Sequence, residues 1–305
     1  MRVVVALGGN ALLERGEKPD AVIQQRHVRR AAHALAPLAA EHELIICHGN
    51  GPQVGLLSLE SEADASLSEP YPLDALGAQT QGMIGYWLAQ ELRNAGVAHP
   101  VVAVVTQTVV HSADPAFTNP TKFIGPVYSE HRARRLATKH GWHVAADGPV
   151  WRRVVPSPQP QRIVEQASVR QLLGMRAVVI CGGGGGAPVI EDDTGQLIGV
   201  EAVVDKDLTA ATIAIDLNAD RLLVLTDVSA VMRDFGTPST SPLHRVTIGE
   251  LADMHFPLGS MGPKIEACRR FTEDTGRPSV IGALDDAAAL LAGTAGTTVV
   301  ASPET

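Results

Sequence analysis

Short runs of aliphatic and β-branched residues recur along this chain with longer helical patterns between them, and that alternation restricts the fold more than any other feature. The runs are "VVVAL" (3–7), "ELIIC" (43–47), "VVAVV" (101–105), "AVVIC" (177–181), "LLVLT" (222–226), "SVI" (279–281) and "TTVV" (297–300). Strands that are apolar at every residue, not at alternate ones, have both faces buried, as in a parallel sheet lying between layers of helices. Helix punctuation falls between them: Asp20 after Pro19 opens 21–35, Leu73–Asn94 stops at Gly96, Asp205 precedes 206–217, and Pro263 opens 264–274 with Gly276 behind it. The pattern predicts a three-layer α/β/α sandwich around an open, mainly parallel sheet. A chain of 305 residues has the size of one large domain or two intimate halves.

From about Asp114 to Pro160 the alternation lapses. Proline and glycine become dense, the "RRVVPSPQP" tail is polar and extended, and only Ser129–Lys139 reads as a short helix. The stretch nevertheless holds Phe117, Phe123, Tyr128, Trp142 and Trp151, five of the eleven aromatic residues. Disordered linkers are poor in aromatics, so a small lobe protruding from the sheet is expected here.

Bulk properties mainly exclude. A net charge of -8 argues against a general nucleic-acid surface while leaving room for a local cationic pocket. No apolar run approaches the ~20 residues of a membrane span. "MRVVVALGGN" enters a strand at once with no signal-peptide pattern, which points to a cytoplasmic protein. Cys47, Cys181 and Cys268 form no CxxC pair, and they are expected to be buried free thiols in a reducing compartment.

Three strands end in glycine: Gly8-Gly9-Asn10, Gly49-Asn50-Gly51 and the run Gly182 to Gly186. Glycine lets the backbone approach a ligand and aim N–H groups at an anion, and strand C-terminal ends are where open α/β sheets bind ligands. No G-x-x-x-x-G-K-[ST] is present, so this is not a P-loop protein. Gly182, Gly184 and Ala187 fit G-x-G-x-x-[GA], but "VIEDDTGQLIGVEAV" after Pro188 reads as two strands about an Asp-Thr-Gly turn where a dinucleotide fold needs a helix. Zinc spacings and nucleophile elbows are also missing. His48, beside the second loop, reads either as a ligand contact or as a structural strand-end histidine.

Only five of the 25 basic residues are lysine. Lys18 and Lys139 read as surface residues. Lys122 in "NPTKFIGP", Lys206 in "VVDKDL" and Lys264 in "GSMGPKIEA" stand at element boundaries where arginine, the default cation of this chain, was not used. A compact ammonium can follow a migrating phosphoryl group, whereas a guanidinium imposes one bidentate geometry. Glycine-loop N–H groups with isolated lysines suit phosphoryl transfer, which needs positioning and charge stabilisation more than covalent help. In "DKD", Asp205 is a helix cap or a site residue, and Asp207 is expected to orient the neighbouring lysines.

"ALGGNAL", "HGNGPQVG", "GAQTQGMIGY", "DPAFTNPTKFIGP", "RRVVPSP", "GGGGGAPV", "VEAVVDKDL", "LTDV" and "GSMGPKIEA", in this order, resemble the carbamate kinases of the amino-acid kinase superfamily over nearly the whole chain. The resemblance implies the amino-acid kinase fold in one domain, 1–305. Residues 1–175, with the lobe 114–160, would bind carbamoyl phosphate, and 176–305 the nucleotide. It implies reversible exchange between ATP with carbamate and ADP with carbamoyl phosphate, with Mg²⁺, in a homodimer. Carried over, Gly8, Gly9, Asn10, Gly49, Asn50 and Gly51 hold the carbamoyl phosphate side. Lys122, Lys206, Lys264 and Asp207 are catalytic, and Asp205, Thr226, Asp227, Val228, Met261 and Gly262 meet the nucleotide. Phe123 stands where the family usually has proline, and Asp147-Gly148-Pro149-Val150 replaces a more glycine- and charge-rich stretch. The alternatives are a kinase of another small acid, such as an acetylglutamate-type kinase, and a silent nucleotide sensor. Carbamate is small, so water exclusion has to come from the protein, and the lobe is expected to close as a lid flexing near Ser112 and Pro160.

Overall fold

The structure, a computed structural model, describes residues 1–302 apart from Arg15, Pro238 and 257–260, and it leaves out the side chain of Asn10. In chain order the strands are β1 (Arg2–Leu7), β2 (Glu43–His48), β3 (Val101–Ala103), β4 (Gln107–Val110), β5 (Lys122–Tyr128), β6 (His143–Asp147), β7 (Val150–Val155), β8 (Pro160–Ile163), β9 (Val178–Ile180), β10 (Ala187–Glu191), β11 (Leu197–Gly199), β12 (Arg221–Thr226), β13 (Val231–Arg233), β14 (Ser241–Leu243), β15 (Arg245–Thr247), β16 (Ser279–Ala283) and β17 (Thr297–Val300). The helices are α1 (Ala21–Glu41), α2 (Gly51–Ala63), α3 (Leu73–Asn94), α4 (Glu130–His140), α5 (Gln166–Gly174), α6 (Lys206–Asp216), α7 (Ile248–Ala252), α8 (Gly262–Thr275) and α9 (Ala287–Leu291).

All seven apolar runs enter one eight-stranded sheet, ordered β15-β17-β16-β12-β1-β2-β9-β3 and parallel except where β16 meets β17. Along β1, Val4 and Ala6 point into one core with α5, α6 and α8, while Val3, Val5 and Leu7 point into a second with α1, α3 and α9. That double burial is why these strands are apolar at every position, each such side chain contributing about 1.5–3 kcal/mol. Register brings Leu7 beside His48 and Leu225, so the turns after β1, β2 and β12 emerge side by side at one sheet edge.

Local differences from the sequence expectation have identifiable causes. Helix α1 runs on through Pro37 to Glu41 because Leu38 and Ala39 are buried in the core beyond the proline. Strand β3 stops at Ala103, and Val105 turns out half-exposed. Residues 114–160 hold more than the one short helix expected: β5, β7 and β6 form a three-stranded antiparallel sheet packed with α4, whose N-cap is Ser129 and whose left-handed stop is Gly141. A four-stranded sheet β11-β10-β4-β8 includes the predicted pair around the Asp-Thr-Gly turn. Among the described residues no helix is long and apolar enough to cross a membrane, and all three cysteines are buried free thiols.

Candidate active site

The edge where β1 and β12 end opens into a cleft of about 800 Å³, and the predicted Gly49-Asn50-Gly51 turn after β2 is pressed against Gly9 without itself lining the cleft. Gly8 donates its N–H to Leu225 O at 2.9 Å, and Gly49 donates to Leu7 O at 3.1 Å. A Cβ on Gly49 would sit 3.2 Å from both Gly9 Cα and Lys206 Cδ. The first two glycine turns are thus pressed against each other and against a lysine, a spacing that larger residues would open. Gly51 begins α2, a helix of 13 residues with Pro52 in its first turn. No side chain of α2's N-cap satisfies its first N–H groups, so they and the helix dipole favour an anion there.

Charge is concentrated on the cleft floor. Lys206 Nζ donates to both oxygens of Asp207 at 3.0 Å, and Lys264 Nζ donates to Asp207 Oδ2 at 3.0 Å. Lys122, the first residue of β5, reaches 83 positions along the chain to pair with Asp205 Oδ2. The other oxygen of Asp205 accepts from Asp207 N at 2.9 Å and caps α6. Asp205 is therefore the cap of α6 and at the same time the partner of Lys122. Burial works to raise both carboxyls, but the lysines prevail and hold Asp205 and Asp207 below the usual carboxylate range. Burial depresses Lys206 in spite of Asp207, while Lys264 is raised because Asp207 outweighs the cost of burial. Lys122 remains about a third exposed, against 11% for Lys206 and 13% for Lys264. Three ammoniums face two carboxylates, a surplus of positive charge in a largely dry place. Such a surplus is costly until an anion enters.

Beyond the lysines the cleft wall is mixed, with Val228, Met232, Phe235, Met254 and Phe256 set among Asp227, Arg233, Asp234 and Asp253. Thr226, Asp227, Val228 and Met261 line it, with Thr226 Oγ1 donating to Asp227 Oδ1 at 3.0 Å. Gly262 opens α8 immediately after Met261, and the Gly259-Ser260 part of "GSMG" lies outside the described residues. Sequence reasoning missed Met232, Phe235, Met254, His255 and Phe256, which complete this wall from two separate segments. Nothing in the sequence marked them, and the exposure of Phe235, 79% accessible, is apparent only in the structure.

The pentaglycine run differs from the expectation of an open anion loop. It does not line the cleft, and all five glycines are buried. A Cβ on Gly183 would meet His48 Nε2 at 2.3 Å, on Gly184 Asn50 Nδ2 at 2.1 Å, and on Gly186 Thr108 Oγ1 at 2.1 Å. Asn50 turns its amide to Thr80 Oγ1 at 2.8 Å, and Gln81 holds Thr106, which in turn accepts from Gly182 N at 2.8 Å. "GAQTQGMIGY" is thus the scaffold behind the second turn. His48 is fully buried, and burial pushes its imidazole down to about 4, so it is neutral packing and its structural reading holds.

A family model, the amino acid kinase family, matches residues 1–283. The chain is 49% identical to a carbamate kinase of Rhizobium meliloti (strain 1021) over 305 residues, covering 99% of this chain and 94% of that protein. It is 47% identical to a carbamate kinase of Haemophilus influenzae, covering 100% and 98%. Its backbone is similar to that of a carbamate kinase from Giardia lamblia bound to AMP-PNP, with a TM-score of 0.89, 39% identity and coverage of 99% and 98%.

Proposed function

The chain belongs to the amino acid kinase family and, within it, to the carbamate kinases, and on that premise we propose that it passes a phosphoryl group reversibly between ATP with carbamate and ADP with carbamoyl phosphate over Lys122, Lys206 and Lys264. The observation that carries this reading is the charge count on the cleft floor. Three lysines around two buried aspartates leave room for one more anion on the floor, between the Gly8-Gly9 turn on one side and the mixed wall on the other.

Each residue then has a physical task. Gly8, Gly9, the backbone of Asn10 and the Gly49-Asn50-Gly51 turn at the start of α2 hold the carbamoyl phosphate side with N–H groups. Asp207 spaces Lys206 and Lys264 so that both ammoniums face the transferred group. Lys122 gives up part of its pairing with Asp205 as charge builds on the phosphoryl oxygens, so its interaction is strongest in the transition state. Residues 1–175 are proposed as the carbamoyl phosphate half and 176–305 as the nucleotide half. The AMP-PNP complex of the Giardia relative supports a nucleotide as ligand, and Asp205, Thr226, Asp227, Val228, Met261 and Gly262 are proposed to meet it in the cleft.

Mg²⁺ is proposed to enter with the nucleotide. Asp205 and Asp207 are both engaged by lysines, which suits a cation that keeps its waters and is held by phosphate oxygens. Once bound, it neutralises charge between the phosphates. A cytoplasmic homodimer is proposed from the family resemblance, and the half-exposed Tyr86 of α3 and Ile198 of β11 supply apolar surface for a partner copy.

ATP formation from Mg²⁺–ADP and carbamoyl phosphate tests the reaction, with acetyl phosphate and acetylglutamate phosphate as competitors. Preference for carbamoyl phosphate is expected. Faster turnover of either competitor would point to another acid as substrate, and turnover of none to a nucleotide sensor.

A further inference from the structure

The protruding lobe does not stand on its two connections alone. It is seated along α2. A Cβ on Gly55 would lie 2.0 Å from Gly125 Cα and 2.2 Å from Gly125 N, so helix and strand touch backbone to backbone. Gly125 has φ +68, in the left-handed region, where β5 and β7 lose register between Ile124 and Tyr128. Its carbonyl accepts from Arg152 Nη2 at 3.0 Å. Lys122 lies three residues before Gly125 on the same strand.

A second attachment sits about two turns further along α2. Glu62 is 9% exposed, and its Oε1 accepts from Trp142 Nε1 at 3.0 Å and from Arg153 Nη1 at 3.4 Å. Arg153 also donates to Ser58 Oγ at 2.7 Å and to Glu201 Oε1 at 3.4 Å, and its guanidinium lies 4.6 Å from the Trp142 ring centroid. Glu201 in turn accepts from Leu73 N at 2.8 Å, at the start of α3.

These contacts join the Gly49-Asn50-Gly51 turn, α2, β5 and Lys122 into one continuous piece. We propose that α2 and the lobe move as a single arm and that Gly55 is a positioning residue that sets where Lys122 stands over the phosphoryl group. The inference rests on the role assigned to Lys122 above. It replaces a lid flexing only near Ser112 and Pro160 with an arm whose flexing points include the two ends of α2. Occupancy of the glycine turn at the N-terminus of α2 is thereby linked to the placement of the lysine.

The test is a double-mutant cycle with a physical readout beside it. Gly55→Ala is expected to lower kcat and kcat/KM for carbamoyl phosphate together, roughly 10²-fold, while leaving ADP affinity within a few-fold. In a Lys122→Ala background the same change should add almost nothing, because residues acting through one another are non-additive. Alanine is the better helix former, so loss of activity with intact helical circular dichroism locates the effect at the contact with Gly125. If Gly55→Ala does not fold, Trp142→Phe removes one donor to Glu62 and keeps the ring beneath Arg153, with a smaller fall in kcat expected. In the wild-type chain, carbamoyl phosphate alone should slow hydrogen exchange in 51–63 and 114–160 together. Protection of the lobe without α2, or additive losses in the cycle, would overturn the coupling. Wild-type kinetics in Lys122→Ala would instead remove the role of the lysine, a distinct outcome.

Discussion

Gly9 and Gly184 stand in glycine loops after β1 and β9, on either side of β2 in the sheet, and they are used in opposite ways. A Cβ on Gly9 meets nothing within 4 Å, whereas one on Gly184 would be driven into Asn50 at 2.1 Å with φ at +64. The first loop is open, and on the proposed function it is the substrate that completes it. The second is closed because protein already fills it, with His48, Asn50, Thr108 and Val204 pressed against the chain. A glycine run therefore signals close approach and leaves open what approaches.

Substitution at each position should separate the two uses. The largest effect is expected from Gly184→Ala, where left-handed strain, overpacking and a disturbed Asn50–Thr80 bond together cost about 4 kcal/mol. Urea unfolding checks this, and a midpoint equal to wild type would break the distinction. Lys122→Ala, on the open side, should keep its unfolding midpoint and lose roughly 10²–10³-fold in kcat and kcat/KM. Lys122→Arg should stay strongly impaired in the same assay, since the planar guanidinium cannot follow the group.

Acid should act first on the closed side. His48 titrates near 4 in the fold, because burial disfavours its charged form and Lys206 adds to this against the neighbouring Gly49 carbonyl, and near 6.5 when unfolded. The unfolded chain thus binds the proton more readily, so stability present above pH 6.5 is lost as pH falls from there towards 4, by roughly 3 kcal/mol. The depressed Asp205 and Asp207 add their loss only below their unfolded values, under about pH 4. Thermal unfolding from pH 7 to 4 should show the first slope in wild type and a weaker one in His48→Gln. The smallest effect is expected from Gly9→Ala, with unchanged unfolding and a KM for carbamoyl phosphate raised about tenfold, near 1.4 kcal/mol.

Much of this was legible along the chain, unevenly. The seven apolar runs all entered the main sheet, because a strand buried on both faces has no polar positions to disguise it. Helix α2 escaped notice since "GPQVGLLSLESEA" opens with proline and two glycines. Proline is compatible with a first turn, and Gly55 is glycine for the sake of Gly125. The lobe sheet was hidden by Gly125 and Pro126 within β5 and by arginines in β7. Lys122, Lys206 and Lys264 were conspicuous because lysine is scarce here. Met232, Phe235 and Phe256 were not, since scattered apolar residues look the same whether they line a core or a cleft.

By itself the sequence determined the layered parallel architecture, the starts of the helices it signposted and the residue types that phosphoryl chemistry needs. Those properties follow from local periodicity, capping and side-chain chemistry, each set within a few residues. Tertiary structure alone decided which glycine loop is open and which is filled, that Asp205 pairs with Lys122 from 83 positions away, and that the lobe rests on α2 through a contact with no side chains. These depend on distances between segments far apart in the chain, and such distances exist only once the cores on both faces of the sheet have closed.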